Sequence, residues 1–360
     1  MIKIPKDEQL NTEALGELLL ETQNSYKHLL FGFLLHELPR RSSSNLLFTP
    51  EELHAGMLKI AEFPAMKCRL SLGARDQAKA FLSGTQTSSA IENELLRWVP
   101  YRLLRPFFRE QLKNKPEKFI NQYILSLADQ SFNKSNPPLY RLNVSNQKLT
   151  SLEVHKSWQD YLVNHLEIID GWRRWHWASY LQRRNSSALN VMQKLEKPTR
   201  QTHELNKMRA IWRDMVKSNT ELISCTYSNK TLAAEEIVVD HYFPWSYLGH
   251  DQSWNLCPTI QSINSKKSDI LPSEINLESL ALIQHKTLNW FKNTQNQRKW
   301  DLFSEEYLAA LQITEEQLLD QFELKMALER AITPHYQLAQ NMGFKSGWIA
   351  SRVDALVIVP

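Results

Sequence analysis

The chain has 360 residues, of which 42% are hydrophobic and 23% are charged, the profile of an ordinary water-soluble globular protein. Its formal net charge of +4 is too small to indicate nucleic-acid binding by itself, so the distribution of the charges must decide. Only nine residues are glycine, well below the average share of about 7%, which disfavours a turn-rich all-β architecture and favours helices.

Cysteine content and apolar segments bear on the cellular compartment. Three cysteines without paired spacing suit a reducing cytoplasm and no disulfides. The most apolar segment, residues 29–35, is too short to span a bilayer. The first residues of the chain also lack the apolar run of a signal peptide. We therefore expect a cytoplasmic protein without membrane insertion.

The N-terminal region is predicted to be helical. Apolar residues at helical spacing indicate one or two helices over residues 12–38. Another helix is expected to begin at Thr49, because a threonine N-cap, a proline and then Glu52 form the pattern of a helix start. Residues 152–215 are predicted to form further long helices with an apolar stripe that belongs to the core.

Two segments combine basic and aromatic residues, which suits phosphate contacts together with base stacking. The first runs from Arg97 to Lys118 and has seven basic and two acidic residues. The second covers residues 171–184 and contains no acid. Two interpretations stay open: the arginines contact nucleic acid, or they cover a helix surface whose aromatic residues are core. In the first interpretation, the nucleic-acid-binding residues of the second segment are Arg173, Arg174, Arg183 and Arg184.

The pattern after residue 272 is helical again. Apolar spacing predicts a helix over residues 273–291, and Thr314 followed by two glutamates predicts another that continues through Phe322 and Met326. The expected fold class is mainly α, with helical N- and C-terminal regions around one small α/β unit. The three regions are predicted to cover residues 1–220, 221–272 and 273–360.

The small unit, residues 239–272, carries the densest set of chemical groups in the chain. The β-branched run before Asp240 favours a short strand that Pro244 cannot continue, and residues 259–269 favour a short helix. We predict strand, turn, second short strand and helix, with polar side chains directed at one place. The four polar residues are Asp240, His241, Asn255 and Asn264, and Asn264 lies ahead of the run Lys266, Lys267, Ser268 and Asp269.

This unit resembles the HNH endonuclease family, whose members are also called ββα-metal nucleases. The resemblance is to the variant with asparagine at the third position. It is especially similar to the HNH domain of CRISPR RNA-guided DNA-cutting effectors, where Asp-His is followed by an Asn and then by Asn-x-x-Lys-Ser-Asp. Asn255 lies 14 positions after His241, and Asn264 lies nine positions after Asn255. The resemblance implies that Asn255 holds the loop that aims the histidine and that Lys267, next to Lys266, contacts phosphate.

The resemblance implies phosphodiester hydrolysis, and the side chains have suitable chemistry. Asp240 offers a hard oxygen ligand for Mg²⁺ and Asn264 a second, neutral one, and Mn²⁺ tolerates the same ligands. His241 follows Asp240 on the strand and therefore points to the opposite side. A histidine there is expected to act as the general base that takes a proton from the attacking water.

One departure from the family concerns zinc. Many HNH proteins hold the unit together with two Cys-x-x-Cys pairs around a zinc ion. Here Cys225 remains from the first pair and Cys257 from the second. Two thiols cannot build a four-ligand site, so a structural zinc is not expected.

The sequence leads to the hypothesis of a Mg²⁺-dependent DNA endonuclease or nickase. The phrases VPYRLLRPFF and YLQRRN resemble standalone bacterial HNH proteins, which often occur among restriction or anti-phage defence genes, Zorya-type systems being one example. The implied partners are DNA and other components of a defence system, and the oligomeric state is left open. Two alternatives also stay open: an RNase, and a nucleic-acid- or partner-binding protein with an inactive HNH scaffold.

Overall fold

The chain divides into two compact units, residues 1–197 and residues 198–360. Both consist mainly of helices with small sheets, so the predicted mainly α fold class is confirmed. The division into three regions, with boundaries after residues 220 and 272, stays a prediction. Of residues 88–94 the computed structural model describes only the backbone. In full it describes residues 4–73, 77–84, 95–198, 203–219 and 222–351.

The first unit surrounds a helix that is buried on almost every side. The helices described in this unit are α1 (Thr12–Glu17), α2 (Tyr26–Glu37), α3 (Pro50–Glu62), α4 (Ala78–Leu82), α5 (Ser88–Leu104), α6 (Arg109–Leu112), α7 (Ile120–Ser131), α8 (Lys156–Asn164) and α9 (Leu166–Arg184). Helix α2 is apolar around its whole circumference, and nine of its twelve residues are buried. It packs against α3, α5 and α9 and forms the centre of the core.

The start of α3 follows the prediction made from sequence. The Thr49 hydroxyl accepts a hydrogen bond from the Glu52 backbone N–H at 3.2 Å, and the Glu52 carboxylate accepts one from the Thr49 backbone N–H at 2.8 Å. This reciprocal capping satisfies two backbone donors that a helix start otherwise leaves unpaired. Residues 12–38 likewise form the two helices α1 and α2.

A three-stranded sheet in the first unit was not predicted. Its order is β1-β3-β2, and both pairs are antiparallel. The prediction of helix from residue 152 onward was wrong for residues 152–154, which end the last strand and precede α8. The strands are β1 (Leu47–Phe48), β2 (Tyr140–Ser145) and β3 (Lys148–Val154).

The second unit places a small two-stranded sheet among helices. Its described elements are α10 (His203–Lys217), β4 (Val238–His241), α11 (Trp245–Leu248), β5 (Leu256–Thr259), α12 (Gln261–Lys267), α13 (Asn276–Thr294), α14 (Gln297–Leu311), α15 (Glu315–Leu319) and α16 (Gln321–Asn341). Helix α13 is the centre of this unit, because it packs against α10, α14, α15, α16 and β5.

The helix predicted to run from Thr314 through Met326 is in fact two helices, α15 and α16. Asp320 separates them with an extended backbone, and its carboxylate accepts a hydrogen bond from the Glu323 backbone N–H at 2.9 Å. Asp320 therefore caps a new helix, because an aspartate satisfies the unpaired donors of a helix start. None of the helices in the described residues combines the length and apolarity needed to cross a bilayer.

Candidate active site on a ββα unit

Strands β4 and β5 and helix α12 form the predicted strand, turn, strand and helix. The strands pair antiparallel, with Asp240 opposite Cys257 and His241 opposite Leu256. Helix α12 packs against β4. Successive side chains of a strand point to opposite faces, so Asp240 and His241 lie in different surroundings although they are neighbours in sequence.

Asp240 is buried and one of its two carboxylate oxygens is fully engaged. Its Oδ2 accepts a hydrogen bond from the Tyr227 hydroxyl at 2.7 Å and lies 2.9 Å from Lys267 Nζ. Burial, followed by the nearby Asp240 carboxylate, raises the pKa of Tyr227 well above its usual value, so Tyr227 stays a hydroxyl donor. Oδ1 of Asp240 has no partner among the described residues and is available to a ligand.

Lys267 lies inside the unit, where its side chain has 0% exposure. Besides Asp240, its ammonium donates a hydrogen bond to the backbone carbonyl of His241 at 2.8 Å and lies 5.5 Å from the centre of the Tyr227 ring. The phosphate contact expected for Lys267 is therefore corrected, because a fully buried ammonium cannot meet a phosphate in this conformation. Its charge instead balances that of Asp240.

His241 faces Asp251, which lies in the loop between α11 and β5. Nε2 of the imidazole and Oδ1 of Asp251 are 2.7 Å apart. In the neutral ring, a carboxylate partner favours the tautomer with its proton on Nε2, which leaves the Nδ1 lone pair to accept a proton. The contact with Asp251 thus fixes the orientation of the imidazole, and the role of His241 as a general base stays a prediction.

Asn255 is fully buried at the base of the same loop. Its side-chain oxygen accepts from the Phe243 backbone N–H at 2.8 Å, and its amide nitrogen donates to the Phe243 carbonyl at 3.0 Å. One side chain thus satisfies both backbone groups of Phe243 and joins the two ends of the loop that carries Asp251. That Asn255 aims the histidine through this loop stays a prediction.

The donor set fits a divalent cation of the Mg²⁺ type. Oδ1 of Asp240 is a hard oxygen ligand. Asn264 is half-buried on α12, and its amide forms no hydrogen bond to any described residue. Lys267 already sits on the same carboxylate and reduces its attraction for a second cation. The residues therefore fit a weakly held ion that takes its remaining ligands from water and phosphate.

The two cysteines of the unit pack as small apolar side chains. The Cys225 thiol lies 3.3 Å from the Thr259 hydroxyl, and the Cys257 thiol lies 3.3 Å from the Tyr227 hydroxyl. Burial, with the nearby Asp240 carboxylate, raises the pKa of Cys257. The Cys257 thiol therefore keeps its proton in these surroundings.

Arg173 and Arg174 do not behave alike. The Arg173 side chain has 0% exposure, with its Nε 2.7 Å from Asp170 and its Nη2 3.2 Å from Glu196. The expected nucleic-acid contact of Arg173 is therefore corrected, because its guanidinium is buried with two acids. Arg174 is half-exposed and lies 3.5 Å from Glu196 as well.

The remaining predicted nucleic-acid residues lie on the surface. Arg183 and Arg184 are exposed in the last turn of α9, where Arg184 stacks 5.4 Å from the centre of the Tyr180 ring. Lys266 is exposed on α12, one residue before the buried Lys267. These three stay predictions.

A second acidic cluster lies in the first unit. Among the described residues, His36, Asp170 and Glu196 form the one group of three or more histidine, cysteine or acidic side chains with ligand atoms close enough together for a metal ion. Arg173 and Arg174 already neutralise these carboxylates, which disfavours a bound cation.

Sequence reasoning missed Tyr227 and Asp251. Asp251 is ten residues from His241, in a loop where an aspartate is ordinary, and Tyr227 stands in the segment considered only for its cysteines. Both contacts depend on how the loops fold back onto β4, which no local pattern reports.

Comparison with known protein families supports the resemblance of the ββα unit to HNH endonucleases. A family model described as HNH endonuclease matches residues 225–273. No curated protein matches the chain, and no solved structure matches it. The matched residues contain β4, β5 and α12 together with Tyr227, Asp240, His241, Asp251, Asn255, Asn264 and Lys267. The match supports placing residues 225–273 in the HNH endonuclease family.

Proposed function

We propose that the protein is a metal-dependent endonuclease or nickase that hydrolyses DNA phosphodiester bonds. The observation that carries the proposal is the pair of His241 and Asp251, whose Nε2 and Oδ1 atoms are 2.7 Å apart. His241 is the last residue of β4 and directly follows the buried Asp240. An oriented base beside a carboxylate with one open oxygen is the minimum that hydrolysis of a phosphodiester requires from the protein.

The proton path follows from the contacts of His241. A water oxygen bonds to the phosphorus while one proton of the water passes to Nδ1 of His241, and the P–O bond to the leaving oxygen breaks. The imidazole becomes positively charged, and the carboxylate of Asp251 stabilises that charge through the Nε2–H group. The leaving oxygen takes a proton from solvent, which completes the hydrolysis.

Asp240 Oδ1 and the side-chain oxygen of Asn264 would hold the metal, which we propose is Mg²⁺, with Mn²⁺ able to substitute. The bound cation supplies neutralisation of the negative charge that develops on the phosphate. Tyr227 and Lys267 fix the Asp240 carboxylate through its other oxygen, so the open oxygen has a defined position. Preorganisation of this kind lowers the barrier, because the ligand does not have to be reoriented during the reaction.

The test is cleavage of supercoiled plasmid by the purified full chain. We expect nicked circles with Mg²⁺ or Mn²⁺, since one nuclease unit cuts one strand per encounter, and no product in excess EDTA. Asp240→Ala removes the charged ligand and should eliminate cleavage at millimolar Mg²⁺. Cleavage in EDTA, or an active Asp240→Ala variant, would refute the proposed site.

Parallel arms with single-stranded DNA and with RNA decide the substrate. The proposal of DNA derives from the resemblance to DNA-cutting HNH domains, and the same donor set hydrolyses either backbone. Cleavage of RNA in preference to both forms of DNA would replace the proposed substrate and leave the roles of Asp240 and His241 intact.

We further propose that the protein acts in the bacterial cytoplasm in restriction or anti-phage defence, together with other defence components. This role derives from the resemblance of the flanking regions alone. Plaque counts on cells that express the wild type or His241→Ala test it directly. Equal plaque numbers across a broad phage panel would oppose a defence role.

A further inference from the structure

A cavity of about 960 Å³ opens in the first unit. Its walls come from the segment that joins α1 to α2, from the second half of α5 and from the 3₁₀ turns that follow α5 and precede α7. The volume lies in the range of pockets that hold small ligands, about 300–1,000 Å³. The HNH unit contributes nothing to it, because all lining residues belong to the first unit.

The cavity carries an excess of positive charge. Four cationic and two acidic side chains line it. Glu117 is shared by two of the cations: it accepts a hydrogen bond from Arg102 and lies 3.2 Å from Arg105 Nη2. Arg97 is exposed and has no carboxylate partner among the described side chains. The four cations exceed the two acids by two positive charges. This excess suits a ligand with phosphate groups.

Lys27 offers a donor from the wall of the cavity. Its ammonium donates to the backbone carbonyl of Leu18 at 3.2 Å and to that of Glu21 at 3.1 Å. An ammonium has three N–H donors, so one remains for a ligand. Burial, with smaller contributions from Arg105 and Arg102, lowers the pKa of Lys27 to about 8, although Glu21 opposes the change. An anion in the cavity would stabilise the charged form of Lys27.

Trp98 gives the cavity an aromatic surface. Its side chain is 46% exposed. The guanidiniums of Arg97 and Arg102 lie over its ring, 5.0 Å and 5.8 Å from the ring centre. An aromatic base that stacks on this indole would take the place of one of these guanidiniums, and the arginine would then be beside the phosphate.

We propose that this cavity is a binding site for a nucleoside phosphate, with the base stacked on Trp98 and the phosphate held by Arg97, Arg102 and Lys27. Polar side chains for the edges of the base are present in the same wall. They are Thr22, Gln23 and Asn24. The ligand is either a free nucleotide or a nucleotide of a single strand, which share this chemistry. The site is separate from the proposed nuclease activity and does not depend on it.

The test measures binding by the full chain in EDTA, where metal-dependent cleavage is suppressed. The probes are ATP, AMP, inorganic phosphate and a fluorescently labelled single strand of about 12 nucleotides, within the length range that stacking sites accommodate. We expect ATP or the labelled strand to bind, and Trp98→Ala and Arg97→Ala each to weaken binding about tenfold. Inorganic phosphate should bind far more weakly, because it cannot stack.

Trp175→Ala is the matched control, since Trp175 is 56% exposed in the same unit and does not line the cavity. It should leave binding unchanged, and so should Asp240→Ala in the HNH unit. Tighter binding of ATP than of the strand identifies a free nucleotide, and the reverse identifies a strand. No binding of any probe, equal binding of phosphate and ATP, or equal losses in Trp98→Ala and Trp175→Ala would overturn the proposal.

Discussion

Each unit of the molecule contains one fully buried cation that the sequence presented as a nucleic-acid contact. In the first unit the cation is Arg173, which holds the carboxylates of Asp170 and Glu196. In the second unit it is Lys267, which shares one oxygen of Asp240 with a tyrosine and also holds a backbone carbonyl. Arg173 balances two acids that have no other evident task, whereas Lys267 leaves the second oxygen of its acid open.

The difference separates a scaffold from a reaction centre. The planar fork of an arginine can bind two carboxylates in fixed directions, and Arg173 thereby connects α9 to the segment that follows it. A lysine is a compact charge on a flexible stem. Lys267 contacts one carboxylate oxygen of Asp240 and leaves the other oxygen open to a ligand. A basic residue near a motif is thus no sign of a phosphate contact until its burial is known.

Loss of the proposed general base should have the largest effect on the second unit. His241→Ala is expected to lower the cleavage rate about 10²–10⁴-fold, the usual contribution of a general base, because alanine has no ring nitrogen to accept the proton. The measurement is the rate of plasmid nicking at saturating Mg²⁺. The melting temperature should stay near that of the wild type, since His241 is at the edge of the sheet.

Asp251→Asn gives the matched control for orientation. The amide keeps the shape of the side chain but cannot stabilise the positive imidazole, so the rate should fall while the protein folds normally. Wild-type nicking in His241→Ala would remove that residue from the mechanism. Wild-type nicking in Asp251→Asn would restrict Asp251 to a structural contact.

Loss of the buried arginine should reduce the stability of the fold, whereas loss of His241 should reduce the cleavage rate. Arg173→Met leaves Asp170 without its cation and Glu196 with Arg174 alone. It should reduce the free energy of unfolding by about 3–5 kcal/mol, as for other broken buried ion pairs. Arg174→Met is the control on the same helix and should cost less than about 1 kcal/mol. Urea unfolding followed by circular dichroism measures both, and equal losses would contradict a special role for Arg173.

Loss of the buried lysine should depend on metal. Lys267→Met leaves the buried Asp240 carboxylate with its tyrosine donor but without a cation, so in the absence of metal we expect a loss of about 3–5 kcal/mol. Because a divalent cation can replace the missing charge, Mg²⁺ should raise the melting temperature of this variant more than that of the wild type. Equal metal effects in Lys267→Met and in the wild type would argue against Asp240 as a ligand.

The smallest expected effect concerns pH in the first unit. His28 is fully buried, and neither of its ring nitrogens has a hydrogen-bond partner among the described residues. Burial, reinforced by the charges of Arg173, His176 and Lys27, lowers its pKa well below the usual value. A histidine of this kind stabilises the fold fully above the unfolded-state pKa of about 6.5, and the stability is lost as the pH falls below that value.

His28→Phe removes this titration and keeps an aromatic ring beside Trp177. When the pH falls from about 7.5 to about 5.5, the free energy of unfolding should decrease more in the wild type than in the variant. The extra decrease should be up to ~1.4 kcal/mol for each pH unit below about 6.5. Urea unfolding at both pH values measures the difference. Parallel losses in the two proteins would show that His28 does not govern acid sensitivity.

Which features could be predicted from the sequence depends on how far apart in the chain the interacting residues lie. The helix start at Thr49 and the ββα order around Asp240 were predictable, because caps, β-branched runs and motif spacing act over a few residues. The pairing of β2 with β3 and the partner of Arg173 were not, since Glu196 lies 23 residues further along the chain. The roles of Tyr227 and Asp251 likewise depend on loops that return to β4.

The closure of one loop by Asn255 has a consequence for the changes that this unit can tolerate. A single amide fixes both backbone groups of Phe243, and within the loop the side chains of Tyr247 and Leu248 are buried. The loop is therefore held at its ends and from within, and position 251 can return its carboxylate to the same histidine only while this packing is kept. A sequence that diversifies this unit must change the surface of the loop and leave its buried side chains alone.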